Sequence, residues 1–510
     1  LKNQKKGVGE LIYPDFDEFA ALSRGAKLVP VALEMAGDLE TPISLFMKLG
    51  QGKNSYILES VEGGQRWARY SYIGRNPFLI VTAKGNTVSV TDPSVSITTH
   101  ISGDALEIIE DLMGRYKIAQ AENMPDFVGG AVGYFAYDVA RSHEKQESSQ
   151  IDTLNMPDIH LLLTKEVIVY DHVKQKIILV VNALASGSPD ECYQQALTRL
   201  RAIQAEIENA GAVHQKAGAA GQHRGRHAQD PALSAPASST ESKDSFVRKV
   251  GQIKKLIAKG EAFQVVLSQR LALQTNTDPF SAYRALRSLN PSPYLFHIDF
   301  GEYQLVGASP ELMVKVTDDV VETCPIAGTR PRGKTPAEDE ALAADLLSDE
   351  KELAEHLMLV DLGRGDIGKV AEFGTVETRN LMHIEKYSHV MHIVTNIAGR
   401  LKKGATMYDA LKACLPAGTV AGAPKLKAMQ VIDELEHEKR GVYAGAVGYL
   451  GFNGNLDLCI AIRTIVFKDS SAYVQAGAGI VHDSNPETEY TETVRKATAM
   501  LEAIRQAEVS

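Results

Sequence analysis

Two short acidic repeats stand out among the residues able to do chemistry, Glu352 with Glu355 and Glu489 with Glu492. Each is an E-x-x-E pair in a segment of helical periodicity. Residues three apart share a helix face, so each helix can aim two carboxylates at one point. Four carboxylates converging from two helices require a cation, and an oxygen-only donor set suits Mg²⁺ better than zinc or copper. A di-iron site is disfavoured because neither pair is the Glu-x-x-His of such bundles. Acidic helix faces are most often simply solvated, so the pairs alone leave both readings open. Polar residues embedded in apolar runs add to them: Arg463 in CIAIRTIVF, Tyr443 in GVYAGAVGY and Gln264 in AFQVVLSQR. A guanidinium in what reads as a central strand demands an anionic partner, either a structural Asp or a substrate carboxylate. His389 and His392 in EKYSHVMHIV offer a candidate acid or base, with a satisfied core histidine as the alternative.

Glycine-containing turns punctuate the strands at GASPE (307–311), PIAGTRPRG (325–333), AGTVAGAPK (417–425) and AGAGIV (476–481). Small residues there let a ligand approach backbone N–H groups, which suits carboxylate oxygens. None has P-loop spacing, and AGAGIV lacks the third Gly and following helix of a dinucleotide fingerprint, which argues against a nucleotide.

The elements that must position these groups are legible from periodicity. KNSYILESVEG and RWARYSYIG read as strands, PFLIVTAKGNTVSVTD as two strands turning at Gly85-Asn86, and GGAVGYFAY as another. Further on, FQVVLSQRLALQ, YLFHIDF, YQLVGASPELMVKV, GVYAGAVGYLGF, LDLCIAIRTIVF and SAYVQAGAGIVHD each read as a strand. Helical spacing covers 345–360 and 486–506. Strands following one another without regular βαβ alternation predict an α+β fold with large, mainly antiparallel sheets covered by helices, and an amino-terminal β-rich region. A run of Ala, Gly, Ser, His and Gln near 209–244 predicts a flexible linker between a first region, 1–208, and a catalytic region, 245–510.

The chain has 510 residues, 44% hydrophobic and 23% charged, with 54 Lys plus Arg against 64 Asp plus Glu. That is enough chain for sizeable cores, and the net charge of -10 argues against nucleic acid or anionic membrane as a partner. An anionic substrate must therefore meet local cations, backbone N–H groups or a metal. No apolar run reaches the roughly 18 residues of a spanning helix. Cys192, Cys324, Cys414 and Cys459 are far apart with no CxxC, which fits small buried residues in a reducing cytoplasm better than zinc or disulfides. The first ten residues lack a signal core, and Leu1 in place of Met leaves a removed targeting segment open.

In order, GEAFQVVLSQR, NPSPYLF, GASPE, PIAGTRPRG, DEKELAEHLMLVDLGRGDIGKV, EKYSHVMH, LPAGTVAGAPK, RGVYAGAVGYLGF, AIRT and QAGAGIVHDSNPETEYTET closely resemble the chorismate-utilising enzymes. The first region is similar to the amino-terminal part of the large subunit in the anthranilate-forming branch, through ILES and RYSYIG. The resemblance implies roles. Glu355 and Glu492 match the Mg²⁺ carboxylates, with Glu352 and Glu489 behind them, reaching the metal through water. Lys496 and backbone N–H groups near Gly328 match the site for the ring carboxylate. Tyr443, Arg463 and the amides of Gly477, Ala478 and Gly479 match that for the enolpyruvyl carboxylate. Glu311 and His392 match the proton-transfer residues, and Thr329 and Thr419 line the ring pocket.

Family members that add water carry a Lys where this chain has Gln264, and the aminodeoxychorismate-forming members carry one where it has Ala327. Both absences imply ammonia as the nucleophile, giving anthranilate and pyruvate from chorismate. The alternative within the family stops at 2-amino-2-deoxyisochorismate; a non-catalytic scaffold would need lesions at the metal carboxylates, which are intact. The resemblance further implies a separate glutamine amidotransferase chain supplying ammonia, and tryptophan feedback at Glu59, Ser60, Pro293 and Tyr294. One departure is LGRGDI, with Gly365 where the family has Asn; it predicts a less stiff turn beside the metal helix.

Overall fold

In the strand Leu28–Ala36, side chains alternate between two cores. Leu28 and Ala32 join one buried cluster, while Val29, Val31 and Leu33 join another. A strand whose side chains point alternately to opposite faces can do this only when both faces of its sheet are covered. One face of this sheet packs on a second sheet; the other lies under helices, including Pro189–Gly218, Pro279–Leu289 and Pro486–Val509. The computed structural model describes residues 11–50, 52–60, 69–144, 148–218, 237–387 and 390–509.

Among the described residues the two sheets hold 13 and 12 strands, and every ladder between named strands is antiparallel. Each sheet is built half from the first region and half from the second. In the larger sheet the seam is Ser55–Glu59 against Tyr294–Asp299, with Leu295 opposite Glu59. In the smaller it is Gly130–Phe135 against Ala446–Gly451, with Val447 opposite Tyr134. Aromatic residues from both regions fill the space between the sheets: Tyr72, Phe127 and Tyr449 form one mutually packed group. The regions 1–208 and 245–510 are thus joined edge to edge, each forming one contiguous block of strands in either sheet. The segment predicted as a linker is helical at its start. Pro189–Gly218 is one continuous helix, residues 219–236 lie outside the described residues, and Lys243–Ala258 resumes helical structure. The start of RWARYSYIG and His389 likewise lie outside the described residues.

Two segments that read as single strands are each split between the sheets. YQLVGASPELMVKV forms Tyr303–Ser309 in the larger sheet and Leu312–Thr317 in the smaller, crossing at Pro310-Glu311. LDLCIAIRTIVF returns from Leu456–Ile460 to Thr464–Lys468, crossing at 461–463. Arg463 is therefore not within a strand; it adopts φ 52°, left-handed backbone that breaks the ladder. The crossings are tied together by Ala308 N–H to Arg463 O at 3.1 Å and Ile460 N–H to Glu311 O at 3.0 Å. The Ser309 hydroxyl donates to Ile460 O at 2.7 Å. All four cysteines are buried.

Gly365 departs from its expected setting as well. It lies inside the helix Glu350–Val370 rather than in a turn, with open space where a Cβ would point.

Candidate active site

The crossing points place their polar residues at one end of the sandwich, where the two acidic helices also arrive. Glu350–Val370 begins at Asp349, whose carboxylate caps Lys351 N–H and Glu352 N–H. Arg330 fixes that cap through Nη2 to Asp349 Oδ2 at 2.9 Å. On the helix's buried side His356 Nε2 lies 2.6 Å from Thr395 Oγ1, bolting the helix to the strand Val390–Arg400. Glu352 and Glu355 are thereby presented on the neighbouring face.

Glu355 Oε1 accepts a hydrogen bond from Gln264 Nε2 at 2.9 Å, while the Gln264 carbonyl oxygen is buried without a partner among the described residues. The pairing requires Gly479: a Cβ there would lie 2.7 Å from Gln264 Nε2. Burial raises the pKa of Glu355, opposed by the Gln264 bond and reinforced by the charge of Glu492. Glu352 is raised by burial and then by Glu355, and Glu489 by burial with Glu492 adding to it. Glu355 and Glu492 thus feel one another across the two helices. Lys496 Nζ sits 2.7 Å from Glu492 Oε1 and donates to Gly477 O at 3.1 Å. Among the described residues no three Asp, Glu, His or Cys side chains converge closely enough to form a closed metal cage.

Opposite the carboxylates, the strand Ile326–Pro331 bulges between Ala327 and Arg330, with Gly328 at φ 69°. A Cβ on Gly328 would come 3.3 Å from Glu352 Oε2. The bulge turns the Gly328 carbonyl toward His392, whose Nδ1 lies 2.8 Å from it and 3.1 Å from Thr329 Oγ1. A proton on Nδ1 satisfies that carbonyl and leaves Nε2 as the basic nitrogen. Burial lowers the pKa of His392, and its bond to Gly328 works against this.

Glu311, on the first crossing, is enclosed. Desolvation pushes its carboxyl from 4.5 up to about 8, with the Thr419 hydroxyl and Ile326 N–H only partly offsetting it. The site therefore holds a protonated carboxylic acid and a neutral imidazole at neutral pH, an acid and a base kept apart by environment.

Arg463, on the second crossing, is partly buried and has no ion-pair partner among the described residues. Beside it the strand Thr464–Lys468 pairs only as far as Val474 of the strand Ser471–Ile480. Beyond that point Gly477, Ala478 and Gly479 pair on one side, with Ser268, Leu267 and Val266, so alternate N–H groups face the open side. Tyr443 is buried, its hydroxyl pushed up to about 12 chiefly by desolvation, and a Cβ on Gly477 would lie 2.7 Å from it. A guanidinium, a phenol and open strand amides form an anion site with no anion of its own.

The four residues expected at a second site gather elsewhere. Glu59, Ser60, Pro293 and Tyr294 all line one cavity of about 320 Å³ between the sheets, together with Tyr449 and Cys459. Glu59 is held by Tyr283 and by Arg287 Nε at 2.9 Å, whereas Ser60 Oγ is buried without a partner among the described residues. Sequence reasoning missed His356 as the bolt of the acidic helix; its signal was a histidine within the otherwise apolar stripe of that helix.

Residues 59–502 match the family model of the chorismate binding enzymes, and the chain belongs to that family. Within it, the chain is 50% identical over 504 residues to anthranilate synthase component 1 of Acetivibrio thermocellus, covering 98% of this chain and 99% of that one. The crystal structure of anthranilate synthase component I from Streptococcus pneumoniae superposes with a TM-score of 0.72 at 39% identity, over 91% of this chain and 98% of that one. The menaquinone-specific isochorismate synthase of Escherichia coli shares the fold, with a TM-score of 0.67 at 18% identity over 94% and 95% of the two chains. No described helix is long and apolar enough to cross a membrane.

Proposed function

We propose that this protein forms anthranilate and pyruvate from chorismate and ammonia, with release of water. The observation that carries the reading is Arg463, without an ion-pair partner among the described residues, beside Tyr443 and the open strand amides, with Lys496 bonded to Gly477 of that strand and to Glu492. Two cations and open amides suit a substrate with two carboxylates. Near-complete coverage of relatives named anthranilate synthase component 1 supports the same choice.

Arg463 and Tyr443 hold the enolpyruvyl carboxylate, and Lys496 helps hold the ring carboxylate; anchoring both fixes the ring before any bond changes. Ammonia attacks C2 as the C4 hydroxyl departs, and Glu311, protonated at neutral pH, donates the proton that makes it water. His392 Nε2 then takes the C2 proton, expelling the enolpyruvyl group as pyruvate and leaving the aromatic ring. The unpartnered Gln264 oxygen accepts an ammonia N–H, where a Lys would instead activate water.

Mg²⁺ fits the donor set. The carboxylates are oxygen-only and partly desolvated, and a cage of only one or two direct carboxylates suits an ion that keeps water and substrate oxygens. Glu355 and Glu492 would hold it, with Glu352 and Glu489 behind, and when bound it supplies positive charge to the ring carboxylate. Ammonia comes from a separate glutamine amidotransferase, and the reducing interior of the cell is the setting. Tryptophan in the cavity at Glu59, Ser60, Pro293 and Tyr294 regulates the reaction. Cys459 lies on the strand that runs into the Arg463 crossing, and Tyr294 pairs with Ser309, the last strand residue before the Glu311 crossing, so an occupant touches one of these strands and the neighbour of the other.

Fluorescence with chorismate, Mg²⁺ and an ammonium salt, with and without tryptophan, tests this. Anthranilate should form, and less of it with tryptophan. An amino-diene accumulating without anthranilate would refute the proposed product.

A further inference from the structure

His392 can act as a base only if its ring is aimed at the substrate. On the strand beside it, Glu377–Lys386, Glu385 lies directly opposite His392, so the two side chains occupy one face of the ladder. Tyr387 N–H donates to Val390 O at 2.8 Å. The Tyr387 ring stands edge-on to the imidazole, centroids 5.6 Å apart at 60°. Its hydroxyl donates to Glu385 Oε2 at 2.8 Å. The other carboxylate oxygen lies 3.0 Å from His383 Nε2, and His383 Nδ1 lies 2.8 Å from Asn380 O. His383 belongs to the stretch where the strand bulges, with Asn380 and Met382 at positive φ. The bulge turns His383 onto the carboxylate and fixes Glu385 at both ends.

We propose that Glu385 and Tyr387 are positioning residues for His392: the tyrosine ring walls the imidazole in, and the anchored carboxylate holds the ring and strengthens Nε2 as a base. This rests on His392 acting as the base of the proposed reaction. The charges facing His392 from its surroundings are Glu385 from the neighbouring strand and Arg463 from the crossing, and they act in opposite directions. The Gly328 carbonyl and Thr329 hydroxyl meet it from the third side. Glu385 offsets the effect of the guanidinium on His392, so removing its charge leaves the imidazole with the opposing influence of Arg463.

Two variants separate aim from tuning. Glu385→Gln keeps a hydrogen-bond acceptor for Tyr387 and deletes the charge; Tyr387→Phe keeps the ring and deletes the tether. The titration of His392 is followed by NMR in the resting protein with side-chain-labelled histidine, the signal assigned by its loss in His392→Asn. Turnover against pH is followed in parallel. Glu385→Gln should move the His392 midpoint down by roughly half a pH unit or more, as loss of a nearby opposite charge does. Because the base must be unprotonated, the acid limb of kcat/KM, which reports the free protein, should move down equally, and the plateau should fall as the base weakens. Tyr387→Phe should lower kcat roughly 3- to 10-fold, as a slightly misaimed base does, with KM for chorismate unchanged. An unmoved His392 titration in Glu385→Gln, or a Tyr387→Phe loss lying wholly in KM, overturns the proposal. A moved titration with an unmoved acid limb overturns instead the role of His392 as base.

Discussion

Replacing Glu311 by Gln should make the protein more stable and nearly inactive, and the size of the first effect follows from its burial. The carboxyl is enclosed between the crossing and Thr419, and desolvation moves it from 4.5 to about 8. Between those values the folded chain keeps a proton that the unfolded chain has released. The stability it contributes is therefore fully present below the unfolded value and is lost as pH rises through the folded one. At about 1.4 kcal/mol per pH unit the whole interval amounts to about 5 kcal/mol, of which about 3 kcal/mol is gone by pH 7. Glutamine ionises in neither state and loses nothing. Denaturant unfolding of parent and Glu311→Gln at a series of values between about pH 5 and pH 7 should show the gap widening steadily in favour of the variant. Anthranilate fluorescence should fall by roughly 10²- to 10⁴-fold, the usual worth of a positioned acid. Stability curves that stay parallel across that range would show that Glu311 is not held protonated, and the assignment of the acid would fall with them.

Glu355→Ala should abolish turnover and weaken Mg²⁺ binding measured by calorimetry; retained activity would refute the metal reading. Gly479→Ala drives a Cβ against Gln264, loosening its bond to Glu355, and should lower kcat by roughly 10- to 100-fold with little change in melting temperature. Gly365→Ala, which meets open space inside a helix, should stabilise the protein by about 0.5–1 kcal/mol while leaving turnover unchanged.

The acidic pairs were legible because helix periodicity is local: Glu352 and Glu355 share a face whatever the helix packs against. The α+β class and most strands followed from runs of β-branched residues for the same reason. The sheet crossings were not legible. Residues on either side of Pro310-Glu311 and of 461–463 are buried, so the hydrophobic pattern runs on without a break where the chain changes sheet. The chemistry sits at those two breaks, where Arg463 gives up strand geometry and Glu311 is enclosed rather than paired. The seams between the two regions were equally hidden, because alternation says which face of a strand is buried but not which strand lies beside it. Gly365 was misplaced because glycine punctuation reads as a turn when helix context is ignored.

The seams carry a consequence for the nascent chain. Ser55–Glu59 and Gly130–Phe135 are made early, yet each acquires one neighbour only after residues 294 and 446 have been synthesised. Until then both present unpaired backbone to the crowded surroundings of the ribosome, the condition under which strands pair with the wrong partner. Contacts this distant along the chain also form slowly. The architecture that brings the two crossings together at one end of the sandwich therefore postpones folding until nearly the whole polypeptide exists.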